Sequence, residues 1–408
     1  MERMVERSCG LDVHKKSVTA CVRAPGAGGG QGQEVRTFGT TTAELLLLRD
    51  WLEAHAVTAV AMESTGVYWK PVFYVLEDRF RCVLANAGQI AQVPGRKTDV
   101  QDCIWIAQLL EHGLIRSSFV PPRPIRELRD LTRYRKAIIE DRTREVNRLH
   151  KVLEDAGIKL AAVASNVLGK SGRDMLQALV AGTTDPETLA QLARGALRKN
   201  LPALRQALAG RFRPHHAALL THVLAHVEYL DEAIAQVSGG IDEALRPFAE
   251  AMTALDSIPG VSRRTAEVLL AETGGDMAVF PSARHLASWA GLCPGQHESA
   301  GKRRSGKPRQ GNRWLRATLL EAAWAATRTD TALAARYRRV MRRRGHKKAI
   351  IAVAHAMLVI AYHVLHDRTT YRELGPTYDE QRQATRARRR AIHTLEAQGY
   401  RVVLEPAA

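Results

Sequence analysis

Over the first 120 or so residues, short apolar runs alternate with longer amphipathic stretches. Cys9 to Val13 reads as a strand ending near Asp12, and Ser17 to Arg23 and Glu34 to Thr40 as the second and third strands. The Gly-rich stretch Pro25 to Gln33 between them predicts a hairpin loop. Thr42 to Leu45 opens a helix that runs through His55, with a threonine at the N-cap. Ala59 to Met62 is a buried strand leading straight into Glu63. Tyr68 to Leu76 is the next helix, Cys82 to Ala85 the next strand, and Asp99 to His112 a helix again. The predicted order is β-β-β-α-β-α-β-α, an α/β domain.

Pro121-Pro122-Arg123-Pro124 closes that domain. Ile125 to about Leu160 then reads as one long charged helix in which Ile139, Val146 and Leu153 recur every seven residues. After a mixed stretch containing Gly169, Gly172 and Gly182 comes a second long helix. There Leu220, Val223, Val227, Leu230, Ile234, Val237 and Ile241 step by three and four. This is a coiled-coil seam, predicting an antiparallel hairpin or a dimer contact. Gly239-Gly240 weakens its end by roughly 1 kcal/mol per glycine. An α-rich domain begins near Ser257. The tail beyond Glu373 is polar, carries Arg386 to Arg390, and ends in a strand-like Tyr400 to Leu404, so loose order is expected in part of it. The expected segments are 1–122 (α/β), 123–250 (coiled-coil and helical), 251–372 (α-rich) and 373–408 (basic tail).

Charge narrows the class of partner. Sixty Lys plus Arg against 42 Asp plus Glu leave a net charge of +18 and a pI near 10.1. The basic residues cluster, which favours a polyanion, DNA or RNA, over a merely basic surface. The five cysteines form no CxxC pair, so neither zinc nor a disulfide framework is indicated; they read as buried small hydrophobes in a reducing cytoplasm. Met1 to Arg7 has no apolar signal core. The most apolar run, Ile350 to Leu365, carries His355 and His363 and predicts a buried helix rather than a membrane span. A cytoplasmic, nucleoid-associated protein without a membrane partner is expected.

Four acids stand where a phosphodiester enzyme needs them. Asp12 and Glu63 each follow an apolar strand, and Asp99 and Asp102 share one side of a helix start. Singly, a strand-end acid is an ordinary turn residue, and acids at a helix N-terminus are favoured by its dipole. As a set on this element order they predict a divalent-cation site, with Mg²⁺ the expected ion.

Ser257-Ile258-Pro259-Gly260-Val261, followed by Thr265-Ala266 and Leu269-Leu270, suggests a helix-hairpin-helix. Its turn, at Pro259 and Gly260, would present backbone N–H groups to phosphates; an ordinary helix start after a Pro-Gly turn is the plain alternative. Further on, Ser299 and Ser305 sit in a loop with Lys302, Arg303, Arg304 and Lys307, and Arg313 lies just beyond. Small neighbours let a phosphate approach Ser299, and the cations would stabilise a pentacovalent transition state. On chemistry alone, a serine in a basic loop is more often a phosphate-contacting donor than a nucleophile. Arg342-Arg343-Arg344-Gly345-His346-Lys347-Lys348 is either a solvated helix end or a contact to a nucleic-acid backbone.

The chain resembles transposases of the insertion sequence 110 family, also described as bridge-RNA-guided recombinases. The resemblance rests on Gly10 to Lys15, Glu63 to Tyr68, Lys97 to Asp102, Ile258 to Val261, Ala290 to Leu292, Ser299 to Lys302 and Gly311 to Arg316, and covers nearly the whole chain. Cys103 stands where the family usually has alanine, a small-for-small change. The resemblance implies a ribonuclease H-like, RuvC-like domain whose four acids are Asp12, Glu63, Asp99 and Asp102, an order that pattern alone shares with other α/β folds. It implies a coiled-coil middle and a C-terminal transposase domain with Ser299 as nucleophile. It further implies an element-encoded guide (bridge) RNA that pairs with donor and target DNA, and homo-oligomers, dimers or tetramers built as dimers of dimers. The expected activity is a Mg²⁺-dependent transposase or recombinase that cuts and rejoins DNA through a serine–phosphodiester. The alternatives are a Holliday-junction-resolving type of nuclease using water, or an inactive nucleic-acid-binding protein.

Overall fold

A computed structural model describes the chain apart from residues 1–2, 27–29, 65, 87–98, 296–297, 304–305, 307, 309 and 405–408; at 99–101, 298–299, 303, 379–380 and 382–383 only the backbone is described. It divides into two compact units, Met1–Val120 and Pro121–Ala408.

In the first unit, alternation along the strands decides the layers. The strands are β1 (Ser8–Val13), β2 (Ser17–Pro25), β3 (Gln31–Gly39), β4 (Ala59–Glu63) and β5 (Arg81–Ala85). They form one sheet in the order β3-β2-β1-β4-β5. β1–β2 and β2–β3 are antiparallel, β1–β4 and β4–β5 parallel. Cys9, Leu11, Val13, Val60 and Met62 face α1 (Thr42–Ala54) and α2 (Trp69–Leu76), meeting Leu45, Leu48 and Leu52 of α1 and Val72 and Leu76 of α2. Thr41 caps α1, its hydroxyl accepting from Glu44 N.

The residues between them face the other way, and they are small. Ala59, Ala61 and Ala85 meet Ile106, Leu109 and Leu110 of α3 (Asp99–Glu111). At Gly10 a Cβ would lie 2.1 Å from Cys103 O and 2.4 Å from Ala107 N, so only glycine lets α3 lie this close to β1. The far end of α3 is pinned by Glu111, whose buried carboxylate takes Arg23 Nε at 2.7 Å and Arg3 Nε at 3.0 Å.

The second unit begins with α4 (Arg123–Asp155) and its partner α5 (Pro214–Leu245). They run antiparallel: Ile125 and Leu128 pack with Ile241 and Leu245, Arg142 pairs with Asp231, and Leu149 shares a core with Leu220. Of the heptad positions, Leu220, Val227, Leu230 and Ile241 are buried and Val223, Ile234 and Val237 half-buried. The seam thus has a partner within its own chain. α5 runs through Gly239-Gly240 to Leu245, while α4 stops at Asp155, ahead of Gly157, which adopts φ 72°. Between the long helices, the short helices Leu160–Val163, Lys170–Val180, Pro186–Gln191 and Leu201–Leu208 cover their distal ends.

After them come α6 (Ala249–Asp256), α7 (Arg263–Thr273), α8 (Ala283–Trp289), the short strands β6 (Glu298–Ser299) and β7 (Lys302–Arg303), α9 (Arg313–Ala326), α10 (Ala332–Arg344), α11 (His346–His366) and α12 (Tyr378–Ala397). Leu270 and Ala271 of α7 join the cluster of Ile125, Leu128, Ile241 and Leu245, so the long helices and the α-rich part share a core. α11, the most apolar run, is a core helix that buries Ile350, Val353, Met357, Leu358 and Ala361.

One expectation for the tail, the strand at Tyr400 to Leu404, needs correction. Tyr378 to Ala397 is a continuous helix, and Tyr400 to Leu404 has no strand. Gln, Arg, Ala and Glu are strong helix formers, which suits a polar helix there. A strand needs a neighbour for its backbone groups, and none pairs with 400–404 among the described residues.

Candidate active site

The β1–β4 register pairs Leu11 with Met62, which sets Asp12 and Glu63 side by side at the carboxyl ends of adjacent parallel strands. Gly10 and Ala61, two residues earlier on each strand, both face α3, so period-two alternation aims both acids to that same face. α3 begins at Asp99 and carries Asp102 in its first turn, one residue before the carbonyl that touches Gly10. The side chain of Asp99 lies outside the described residues; Asp12, Glu63 and Asp102 are half-buried. The packing that brings α3 onto β1 therefore brings these acids to one edge of the sheet.

Two features beside the acids escape a reading of the sequence. His14 Nε2 lies 3.0 Å from Asp12 Oδ2, where the chain turns from β1 into β2 and His14 N donates to Ser17 O at 2.9 Å. The only signal was an imidazole two residues after a strand-end acid. Cys21 and Cys103 are buried together between β2 and α3. Their mutual hydrogen bond, then burial, push the Cys21 thiol up, while the same bond holds Cys103 down against burial and the charge of Asp12.

Ser299 is positioned by a tight hairpin in the second unit. β6 and β7 pair antiparallel with Ser299 opposite Lys302. The two residues between them, Ala300 and Gly301, have φ 49° and 74°, as a two-residue turn with both centres left-handed requires. Gly301 suits that conformation; Ala300 is strained in it by about 1 kcal/mol. Lys302 is exposed. Arg304 and Lys307 lie outside the described residues, as do the side chains of Ser299 and Arg303.

The ends of this loop are clamped together. A Cβ on Gly311 would lie 2.3 Å from Gly291 N and 2.4 Å from Ala290 C, so the two limbs meet backbone to backbone. Asn312 then caps α9, its Oδ1 accepting from Trp314 N at 3.1 Å and Leu315 N at 3.0 Å. Its Nδ2 donates to Glu272 Oε2 at 2.5 Å. Glu272 is fully buried and takes Arg133 Nε and Nη2 on its two oxygens at 2.7 and 2.8 Å. The long helix α4 thereby holds the foot of the serine loop through one carboxylate. Arg313 lies over the Trp314 ring at 4.8 Å, and Arg133 approaches that ring at 5.7 Å. Nothing in sequence spacing singled out Glu272 or Arg133.

The other basic elements are placed as follows. Pro259 and Gly260 form the turn between α6 and α7, but Gly260, at φ 85°, is packed on α9, where a Cβ would lie 2.6 Å from Ala322 O. Gly345, at φ 78°, divides the basic run: Arg342, Arg343 and Arg344 end α10, and Lys347 and Lys348 start α11. All five are exposed. Cations suit a helix C-terminus and are disfavoured at an N-terminus, so the two lysines gain from an external anion. Asp155, His215 and His216 also cluster. There His216 Nδ1 accepts from Arg213 N at 3.0 Å, which leaves its proton on Nε2 for Asp155 Oδ2 at 2.9 Å: a helix cap rather than a free ligand set.

Two family profiles match the chain. One, a transposase profile of the DEDD type from IS110 elements, covers residues 9–158, and one described as transposase, IS116/IS110/IS902 family, covers residues 252–338. The chain belongs to the IS110 transposase family. Among relatives, an uncharacterised 43.6 kDa protein of insertion element IS110 from Streptomyces coelicolor is 40% identical over 30% of this chain and 30% of its own length. An uncharacterised 42 kDa protein of insertion element IS900 from Mycobacterium paratuberculosis is 28% identical over 71% of this chain and 80% of its own. The transposase for insertion sequence element IS1111A from Coxiella burnetii is 26% identical over 69% and 70%. The first IS110 profile spans all four acids and the second spans Ser299. The second also contains Glu272 and Asn312, whereas Arg133, the partner of Glu272, lies in the first.

Proposed function

We propose that this IS110-family protein is a Mg²⁺-dependent recombinase that moves its own element by cutting and rejoining DNA through a serine–phosphodiester intermediate. The observation that carries the reading is the convergence of Asp12 and Glu63, on adjacent parallel strands, with the helix start that bears Asp99 and Asp102. The sheet order β3-β2-β1-β4-β5 supports a ribonuclease H-like, RuvC-like domain. Carboxylates on one sheet edge, with Asp12 still 18% exposed, fit a hard divalent cation that keeps part of its water. Asp12, Glu63, Asp99 and Asp102 would hold Mg²⁺, which when bound supplies Lewis-acid polarisation of a phosphate oxygen.

The chain's own residues do the rest. The hairpin carries Ser299; its Oγ would give up its proton and attack phosphorus, a Ser–O–P bond forms, the P–O bond to the leaving oxygen breaks, and that oxygen takes up a proton. Lys302, Arg303, Arg304 and Lys307 would offset the charge gathering on the phosphoryl oxygens. A second hydroxyl end reverses the step and rejoins the strand. Arg313, the Arg342–Lys348 run and the turn at Pro259-Gly260 would contact nucleic-acid backbone. The family resemblance supplies the remaining parts: a bridge RNA pairing with donor and target DNA, a coiled-coil seam, and a dimer of dimers in which the acids of one subunit meet the serine of another. Such a protein works on the nucleoid in the cytoplasm.

A suicide DNA substrate that traps the cut end tests the mechanism. The expected product is a protein–DNA adduct that survives a denaturing gel, disappears with protease and is absent in Ser299→Ala. Robust cutting by Ser299→Ala would return the protein to a resolvase-like nuclease that uses water. An adduct lost only in Ser305→Ala would place the nucleophile at Ser305.

A further inference from the structure

A cavity of about 750 Å³ opens beside the loop that carries Ser299. Leu292, Pro294 and Pro308 line it from the two limbs of the loop, and Ile351 and Ala352 from α11. These walls are apolar, and the volume is within the ~300–1,000 Å³ typical of small-ligand sites. Arg336 and Arg344 of α10 and Lys348 of α11 bring positive charge to it. No carboxylate is among its described lining residues. His355, one turn along α11 from Ile351, faces the same space half-buried. Burial, and then the charge of Arg336, hold its imidazole below the usual pKa of 6.5, so it is neutral near pH 7. A neutral imidazole offers one donor and one acceptor.

An apolar slot, a donor–acceptor group and a cationic rim match the parts of a nucleotide. We propose that this cavity takes one nucleotide of a single strand, its base turned out of the stack against Ile351, Ala352 and His355, its phosphate on Arg344 and Lys348. The inference rests on the nucleic-acid reading above and adds a site to it. An apolar ligand would make no use of the charge of Arg344 and Lys348, and a free phosphate would leave the apolar walls unused. A turned-out nucleotide would register the strand beside the Ser299 hairpin, since extruding a base fixes the backbone on either side of it. DNA and RNA share this chemistry.

Fluorescence anisotropy on the full chain distinguishes the possibilities, with three 12-mers as probes: (dT)12, (rU)12 and an abasic DNA strand of equal charge. Either pyrimidine strand should bind about tenfold more tightly than the abasic one, a factor in keeping with the burial of one base. Whichever strand shows the preference identifies the source as DNA or RNA. Ala352→Trp, which fills the slot, should cut the preference below about twofold without changing the salt slope, because no charge is lost. Arg344→Ala with Lys348→Ala should weaken binding of all three probes and reduce the slope by roughly 1.4, two contacts at about 0.7 each. A tenfold preference retained by Ala352→Trp would overturn the pocket and leave nucleic-acid binding standing. Failure of every probe to bind the wild type would overturn both. If Ala352→Trp does not fold, the imidazole resonance of His355 in the wild type decides. A shift with a pyrimidine strand but not with the abasic one supports the pocket; an equal shift, or none, overturns it.

Discussion

Glu272 shows how much can hang on one side chain. Its carboxylate is fully buried and serves both Arg133 and Asn312. Removing one partner of a buried ion pair costs about 3–5 kcal/mol when the other charge is left unpaired, but Arg129, at 3.4 Å from Glu272 Oε2, would still offset part of it. Arg133→Ala should therefore lower the urea unfolding midpoint by an amount equivalent to about 1–2 kcal/mol, and Arg129→Ala with Arg133→Ala by more. Asn312→Ala should cost about 1 kcal/mol as a lost helix cap. The acids respond differently, for they line an edge rather than a core. Asp12→Ala or Asp102→Ala should abolish Mg²⁺-dependent cleavage while leaving nucleic-acid affinity within about twofold, since carboxylates add nothing to phosphate binding. Full cleavage by Asp12→Ala, or in EDTA, would remove the metal from the mechanism. A pH effect belongs to Asp231, which hydrogen bonding to Arg142 holds below its ordinary value of 3.8. A depressed carboxylate stabilises the fold above its unfolded pKa and loses that contribution as pH falls through its lower, folded value. Unfolding midpoints of wild type and Asp231→Asn should thus differ near neutrality and converge as the pH falls well below 3.8, through the depressed folded value.

At the scale of elements, closeness of packing is the controlling variable. Gly10→Ala would put a methyl group 2.1 Å from Cys103 O, so α3 must move and take Asp102 with it. Overpacking of this kind costs about 1–3 kcal/mol, and a shift of ~1 Å in a catalytic group can cost about a hundredfold in rate. Cleavage should fall much further in Gly10→Ala than in Gly32→Ala, where the nearest atom, Ala24 O, is 3.6 Å away. Equal rates for the two would show that the placement of α3 does not govern the acids. Along α5, Val227 is fully buried within a chain whose own α4 lies alongside. Val227→Asp buries an unpaired charge, and the expected result is a destabilised fold seen in urea titration, not a clean change from dimer to monomer in sedimentation.

For the whole molecule, charge is the dominant quantity. A net +18, with exposed cations at Lys302, at Arg342 to Arg344 and at Lys347 and Lys348, should make nucleic-acid affinity fall by on the order of 10³ between 50 and 200 mM salt if about six phosphates are engaged. A nearly flat salt titration would point to another kind of partner. Each compact unit carries part of the proposed site: the acids in Met1–Val120, the serine hairpin and most of the basic residues in Pro121–Ala408.

Local pattern made the first unit legible. Alternation at Cys9, Leu11 and Val13 marks β1 because side chains on a strand point to opposite faces whatever lies beyond them. The three-and-four stepping from Leu220 to Ile241 marks α5 for the corresponding reason in a helix. The acids were legible too, because each stands at the end of such an element. Sequence by itself thus determined which elements form, where Asp12, Glu63, Asp102 and Ser299 sit on them, and that a polyanion is the partner. Tertiary structure alone decided what lies against what. It chose α4 as the partner of the heptad seam, which the pattern left open between a hairpin and a dimer. It brought Arg133 to Glu272 across 139 residues, gave His14 to Asp12, and pressed α3 onto Gly10. It also walled the Ser299 loop against α10 and α11 to leave a cavity. The physical reason is range: backbone periodicity and capping act over a few residues and are written locally, whereas burial and ion pairing depend on which distant segments share a core.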